Sequence, residues 1–383
     1  MSASDPPTRP AAAPKSYPGI DLLRALACAL VLVYHVIEVS GWHALPNTGF
    51  YFLLRHGWIG VDLFLTISGF VIALSALKGV QEKGPLFRRS FAERRLARIV
   101  PLYLLTGLVF IVLIKPQLML MKGTELLRHV GSHLLFIHNL MHPTHGSINS
   151  PNWSVGLEMQ FYLAMMFAAP WLARVRVRHL LLGALALSAV WRLATVFLLA
   201  PPTPHIVQFI YMTQLPGVID EFALGIALAI LVHRGQRTVV AVLVPGWRNC
   251  LKWLVASAVF LGLAHHVYLH YGVTGYGVVV WRPLLAAGFV GLIGASIAFP
   301  AAGHGLLAPL RYVGTVSYGV YLWHMLVLLT LTAAVPTLKQ VPLLMYVTVA
   351  TLALASLSWH LLEKPNLQRF NAPRVPALRP LSA

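Results

Sequence analysis

Apolar residues gather into ten runs separated by short polar segments, near 20–39, 57–77, 97–114, 153–172, 179–200, 206–232, 251–270, 278–299, 312–335 and 342–362. About 20 helical residues cross the hydrocarbon of a bilayer, so the pattern predicts ten transmembrane helices. The apolar stretch 134–140 is too short to span and reads as re-entrant or interfacial. Pro101, Pro170, Pro216 and Pro283 fall within the runs or at their ends, where neighbouring helices can satisfy the carbonyls that a proline frees.

The polar residues inside the runs carry the next signal. Arg24 and His35 lie eleven residues apart in the first run. Eleven helical steps return the chain to within about 20° of its starting face, roughly 16 Å further along the axis. Each residue alone has an ordinary explanation: Arg24 snorkels to the headgroups beside Asp21, and His35 caps the far end. The two on one face need more. Ionisable groups in hydrocarbon are costly and normally face a polar interior or a substrate path.

Composition agrees with a membrane protein and reinterprets the charge. The 383 residues are 58% hydrophobic and 10% charged, with mean hydropathy +0.73, whereas a soluble domain is about a quarter charged. The net charge of +18 would point to nucleic acid in a soluble protein. Here the basic residues sit mostly in short loops, so topology accounts for them and no nucleic-acid partner is expected. With the N-terminus inside, 21 of the 29 Lys and Arg residues fall on the cytoplasmic side and five outside, with Arg24, Arg192 and Arg282 within spans. The expected class is therefore an all-α polytopic membrane protein of about ten transmembrane helices, both termini cytoplasmic. It divides into a tail at 1–18, a membrane domain at 19–363 and a second tail at 364–383. Residues 1–18 lack an apolar segment with a cleavage site, so no cleavable signal peptide is expected. Cys28 and Cys250 supply neither a disulfide framework nor a metal motif.

That orientation puts Arg24 near the cytoplasmic face and His35 near the outer face. Asp62 and Glu158 follow the outer entries of the second and fourth spans, so His35, Asp62 and Glu158 should share a depth. The second span reads Gly60-Val61-Asp62-Leu63-Phe64-Leu65-Thr66-Ile67-Ser68-Gly69-Phe70, and its Ser-Gly pair marks a kink or a close-packing point. The third opens Arg94-Arg95-Leu96-Ala97-Arg98-Ile99-Val100-Pro101-Leu102-Tyr103. Its arginines suit a polyphosphate, or else anchor the helix on the positive side. The fourth opens Asn152-Trp153-Ser154-Val155-Gly156-Leu157-Glu158-Met159-Gln160-Phe161-Tyr162, where Glu158 needs a partner.

In this order these segments resemble the acyltransferase-3 membrane family, the multi-span O-acyltransferases of bacterial glycans and some sugar-bearing metabolites. Arg24 and His35 match its Arg-x10-His signature, and Gly60 to Phe70 is similar to its Phe-Phe-x-x-Ser-Gly-Phe segment, with Leu65 in place of the second Phe. Arg94 to Tyr103 resembles its Arg-Arg-x-x-Arg-Ile-x-Pro-x-Tyr run, and Trp153 to Tyr162 its Trp-Ser-x-x-x-Glu-x-x-Phe-Tyr segment. Ser317 to His324 resembles a late Ser-Tyr-x-x-Tyr-Leu-x-His element. The resemblance covers nearly the whole chain.

It implies a bacterial inner-membrane enzyme that moves an acyl group, usually acetyl, from cytoplasmic acyl-CoA to a sugar or glycolipid hydroxyl, with polysaccharide-biosynthesis proteins as partners. On that scheme Arg94, Arg95 and Arg98 hold the CoA phosphates and Arg24 meets the arm where it enters the membrane. His35 is the base or acyl carrier, oriented by Glu158 or Asp62, and Ser68 hydrogen-bonds the thioester carbonyl. No metal is expected: His129, His133, His138, His142 and His145 crowd one loop, but only Glu125 lies near to complete a zinc site. Asp220 and Glu221 read as a polar lining near the cytoplasmic half of the sixth span. A transporter or flippase for a lipid-linked sugar is the competing class, since many carriers bury ionisable groups in ten spans.

Overall fold

The computed structural model describes residues 17–42, 44–199, 202–271 and 276–371. Most of the two predicted tails, 1–16 and 372–383, lies outside the described residues. Ten long helices are found among those described: α1 (Pro18–Ser40), α2 (Ile59–Lys83), α3 (Phe87–Leu113), α4 (Trp153–Leu172) and α5 (Val177–Leu198), then α6 (Leu215–His233), α7 (Trp247–Tyr271), α8 (Gly277–Ala298), α9 (Ser317–Ala334) and α10 (Gln340–Ser358). No strand occurs among the described residues. Eight helical stretches are long and apolar enough to cross a membrane, one of them the joined pair α2–α3 spanning Ile59–Leu113. Helix α4, which carries Glu158 and Gln160, is not among the eight. The protein is a helical multi-pass membrane protein.

Local chemistry sets the helix ends. Pro18 and Pro216 stand in the first turns of α1 and α6, where the missing N–H has no intrahelical partner to lose. Helix α1 stops at Gly41, whose left-handed backbone (φ 62°) lets Gly41 and Trp42 donate to the carbonyls of Glu38 and Ile37. Pro216 also corrects one expected span. The run 206–232 is a short helix, His205–Met212, followed by a break and a new start at Leu215. Likewise the run 312–335 is interrupted at Val316, between Ala308–Thr315 and α9. The apolar stretch 134–140 forms only short turns.

Helix α2 is central and packs on α6, α1, α4, α8 and α3. At its crossing with α6 the backbones touch: Gly69 faces the Phe222 carbonyl and Gly225 faces the Thr66 carbonyl. A Cβ at either place would collide with main chain, so the Ser68-Gly69 pair marks close packing. The apolar stretches of α6, α8 and α9 are mostly buried, whereas those of α5 and α7 are mostly exposed and present Leu182, Phe197, Leu251 and Val255 outward. Helices apolar all round belong inside such a bundle, and the outward rows are what lipid would contact.

Candidate functional site

A cavity of about 110 Å³ opens between α1, α2, α3, α4 and α9. Arg24 of α1, Ser68 of α2, Arg95 and Arg98 of α3, Glu158 and Tyr162 of α4, and Ser317, Tyr318 and Tyr321 of α9 all line it. The i,i+3 spacing of Arg95 and Arg98 puts both on the inward face of α3. Tyr318 ties the walls together by donating to the Ile99 carbonyl at 2.8 Å.

Inside the cavity the carboxylate is engaged and the guanidiniums are largely free. Ser68 Oγ donates to Glu158 Oε1 at 3.1 Å and Tyr162 Oη donates to the same oxygen at 2.5 Å. Arg95 stacks over Phe91 and Tyr162 at 5.4 and 5.5 Å, reaches Ser75 Oγ only at 3.5 Å, and has a buried Nε without a partner. Arg98 lies 6.0 Å over the Trp359 ring. Among the described residues, neither Arg24 nor Arg98 makes a side-chain hydrogen bond or ion pair at contact distance. A guanidinium offers five donors in a planar fork, so this set can grip a phosphate or carboxylate. Arg94 differs from its expected role: it donates to Ser90 Oγ at 2.8 Å and does not line the cavity.

His35 lies half-buried further along α1 and is reached through aromatic neighbours. Tyr321 lines the cavity, its ring is 5.8 Å from that of His324, and His324 is 5.0 Å from His35. The Tyr321 hydroxyl is itself held by Ser154 Oγ at 2.7 Å and by the Pro151 carbonyl at 3.0 Å. His35 Nδ1 is 2.9 Å from the Val31 carbonyl and 3.2 Å from His324 Nε2.

The expected orienting carboxylates are therefore elsewhere. Glu158 is bonded to Ser68 and Tyr162, and Asp62 faces Arg282 at 2.5 Å. Arg282 also holds Glu221 at 2.7 Å, and Arg192 pairs with Asp220 at 2.6 Å while lying 4.0 Å from Glu221. Five ionisable groups from α2, α5, α6 and α8 thus form one buried cluster. Asp220 and Glu221 belong to the layer of Asp62 and not to the opposite half, because α6 begins at Leu215 and places them near its start. Buried charges persist when paired, and Asp62 is paired with Arg282, whereas His35 contacts Val31 and His324. In the sequence Arg192 and Arg282 are only two in-span cations, and the signal that could have paired them is that Asp62, Asp220 and Glu221 are in-span anions needing partners.

Three of the crowded histidines pack against neighbouring rings and a carbonyl. His133 and His138 stack at 4.0 Å, His138 Nε2 lies 2.9 Å from the Asn152 carbonyl, and His145 stacks on Trp153 at 5.7 Å. Burial pushes both His138 and His145 down to about 4. Among the described residues no group of three or more His, Cys, Asp or Glu is arranged to hold a metal ion. One further residue enters from the C-terminal side: Glu363 is buried, both carboxylate oxygens lack partners, and it lies within electrostatic reach of Arg98 and Arg24.

Comparison with known proteins gives this arrangement its setting. The chain is 27% identical to the peptidoglycan O-acetyltransferase OatA of Listeria monocytogenes serovar 1/2a, over 92% of this chain and 56% of that one. It is also 27% identical to the acyltransferase MdmB of Streptomyces mycarofaciens, over 81% of this chain and 79% of that one. The chain thus spans little more than half the length of the Listeria relative. No solved structure matches it. Residues 17–361 match the acyltransferase domain family, and the chain belongs to that family.

Proposed function

We propose that this protein is a membrane O-acyltransferase that moves an acetyl group from acyl-CoA to a sugar hydroxyl of a cell-envelope glycan or its lipid-linked precursor. The observation that carries the reading is the cavity: three guanidiniums, Arg24, Arg95 and Arg98, line it, and Tyr321 links it to a histidine pair. CoA brings phosphates and a long arm ending in a thioester. Guanidiniums without carboxylate partners suit the phosphates, and the Arg24-to-His35 rise along α1 is comparable to the arm. The 21-to-5 loop charge split supports ten crossings, cytoplasmic termini and a donor entering from the cytoplasm of a bacterial inner membrane. The peptidoglycan O-acetyltransferase among its relatives supports a glycan acceptor.

The chemistry follows from these groups. A sugar hydroxyl attacks a thioester poorly until a base removes its proton, and His35 is the base. The hydroxyl oxygen bonds to the acyl carbon, the carbon–sulfur bond breaks, and His35 returns the proton to the departing thiolate. Ser68 and Tyr162, both donating to Glu158, fix that carboxylate beside the arginines, where it offsets one of their three positive charges.

Incubating the purified protein with radiolabelled acetyl-CoA and a panel of lipid-linked sugars tests the reading. Label is expected on a glycan acceptor, and His35→Ala should lower its transfer by about 10²–10⁴-fold while donor binding stays near normal. Near-normal turnover in folded His35→Ala protein overturns the base assignment. Sugar movement across proteoliposomes without label transfer would replace the enzyme with a carrier.

A further inference from the structure

Donors and acceptors around the two histidines determine where their protons sit. A carbonyl oxygen only accepts, so the ring nitrogen facing it must carry hydrogen. His324 Nδ1 lies 2.7 Å from the Tyr321 carbonyl. It is therefore protonated, and in the neutral ring Nε2 keeps its lone pair. His35 Nδ1 faces the Val31 carbonyl at 2.9 Å, so it too is protonated, and its N–H is shared with His324 Nε2 at 3.2 Å. A second proton on His324 would oppose N–H to N–H, so the contact requires a neutral His324 ring. That leaves His35 Nε2, which has no hydrogen-bond partner among the described residues.

The Val31 carbonyl alone defines the ring weakly, because it also accepts the helical N–H of His35, four residues on. His324 supplies a second acceptor from another helix. It is buried, anchored through its own Nδ1, and flanked by Tyr321 and His35. Two acceptors on one N–H fix both the proton and the plane of the imidazole.

We propose that His324 is a positioning residue that holds His35 in the Nδ1–H tautomer, making Nε2 the atom that meets the acceptor hydroxyl. The inference rests on His35 being the base. When Nε2 takes the hydroxyl proton, the new positive charge is shared with Nδ1–H, and the lone pair of His324 faces that charge. His324 itself gains and loses no proton. The proton leaves from Nε2 to the thiolate.

The test combines a spectroscopic reading with kinetics on the full-length protein in detergent. In ¹⁵N-histidine-labelled wild type, with the His35 signals identified by their loss in His35→Ala, Nδ1 should be protonated and Nε2 unprotonated. In His324→Ala the ring should shift toward a mixture of tautomers. In His324→Gln, whose amide oxygen accepts a hydrogen bond, the Nδ1–H form should return. With radiolabelled acetyl-CoA as donor, His324→Ala should lower kcat by about 10–100-fold with the KM for acetyl-CoA unchanged, and His324→Gln should recover much of it. A protonated Nε2 on wild-type His35, or His35 signals identical in wild type and His324→Ala, overturns the proposal. So does an unchanged kcat in folded His324→Ala. Normal turnover in His35→Ala would instead remove the base assignment, and the ¹⁵N signals would then decide by themselves whether His324 fixes the ring.

Discussion

Arg192 and Arg282 lie inside the bundle with carboxylates upon them, whereas Arg24 and Arg98 lie inside it with none at contact distance. The first pair shares Asp62, Asp220 and Glu221 across four helices. The second faces a cavity whose carboxylate, Glu158, is occupied by two hydroxyls. The same residue type in the same low-dielectric setting thus does two jobs. Where the counter-ion is internal, the arginine joins helices. Where no carboxylate is at contact distance, the donors stay open to an anion from outside, as the proposed donor site requires. Charge in a membrane protein is best sorted by partner and not by depth.

The largest effect should come from breaking the paired cluster. Arg282→Met leaves Asp62 and Glu221 buried without their cation, a loss of about 3–5 kcal/mol in such settings. Thermal unfolding in detergent should drop sharply, with poor recovery of folded protein. A melting curve matching wild type would erase the distinction between the two sets.

Cavity arginines should respond in the opposite way. Arg98→Ala or Arg95→Ala should weaken acetyl-CoA binding by about 1.5–3 kcal/mol, the worth of a charge-assisted hydrogen bond, with little change in melting temperature. Equilibrium binding of labelled acetyl-CoA measures it. Unchanged affinity in both variants would take them out of the donor site, and Arg94→Ala, whose side chain bonds Ser90, serves as the nearby control expected to bind normally.

A smaller change should sharpen the contrast from the acidic side. Glu363 is a buried carboxyl with unpartnered oxygens within electrostatic reach of Arg98 and Arg24. Glu363→Gln removes a competitor for those cations, so acetyl-CoA should bind tighter by about 0.5–1 kcal/mol. Weaker binding would mean that Glu363 holds the guanidiniums in place.

The residues that converge on the cavity were largely legible beforehand. Arg24, Ser68 and Glu158 each interrupt an apolar run, which in hydrocarbon announces a polar interior, and Arg95 and Arg98 stand at the start of another. What the chain hid was direction around each helix axis. Asp62 was read at the depth of His35 but turns toward α6 and α8, and only helix packing reveals that Arg282 is its neighbour. His324 ends a recognisable segment, yet nothing linear says that its ring meets His35. The sixth run looked continuous because hydropathy does not register the break before Pro216. Glu363 ends the predicted membrane domain, and nothing linear shows that the irregular turn Trp359–Glu363 buries it.

The glycine contact between α2 and α6 also limits how the cavity can open. With Gly69 against the Phe222 carbonyl and Gly225 against that of Thr66, the two backbones already touch and neither can move toward the other at that level. A tilt of α2 about that crossing would leave its middle in place and move its ends. Ser68, one residue from the crossing, would then move least among the α2 residues that line the cavity, and Phe64 and Ile72 on either side would move further. Under such a tilt Ser68 and the Glu158 it holds are the fixed reference of the cavity.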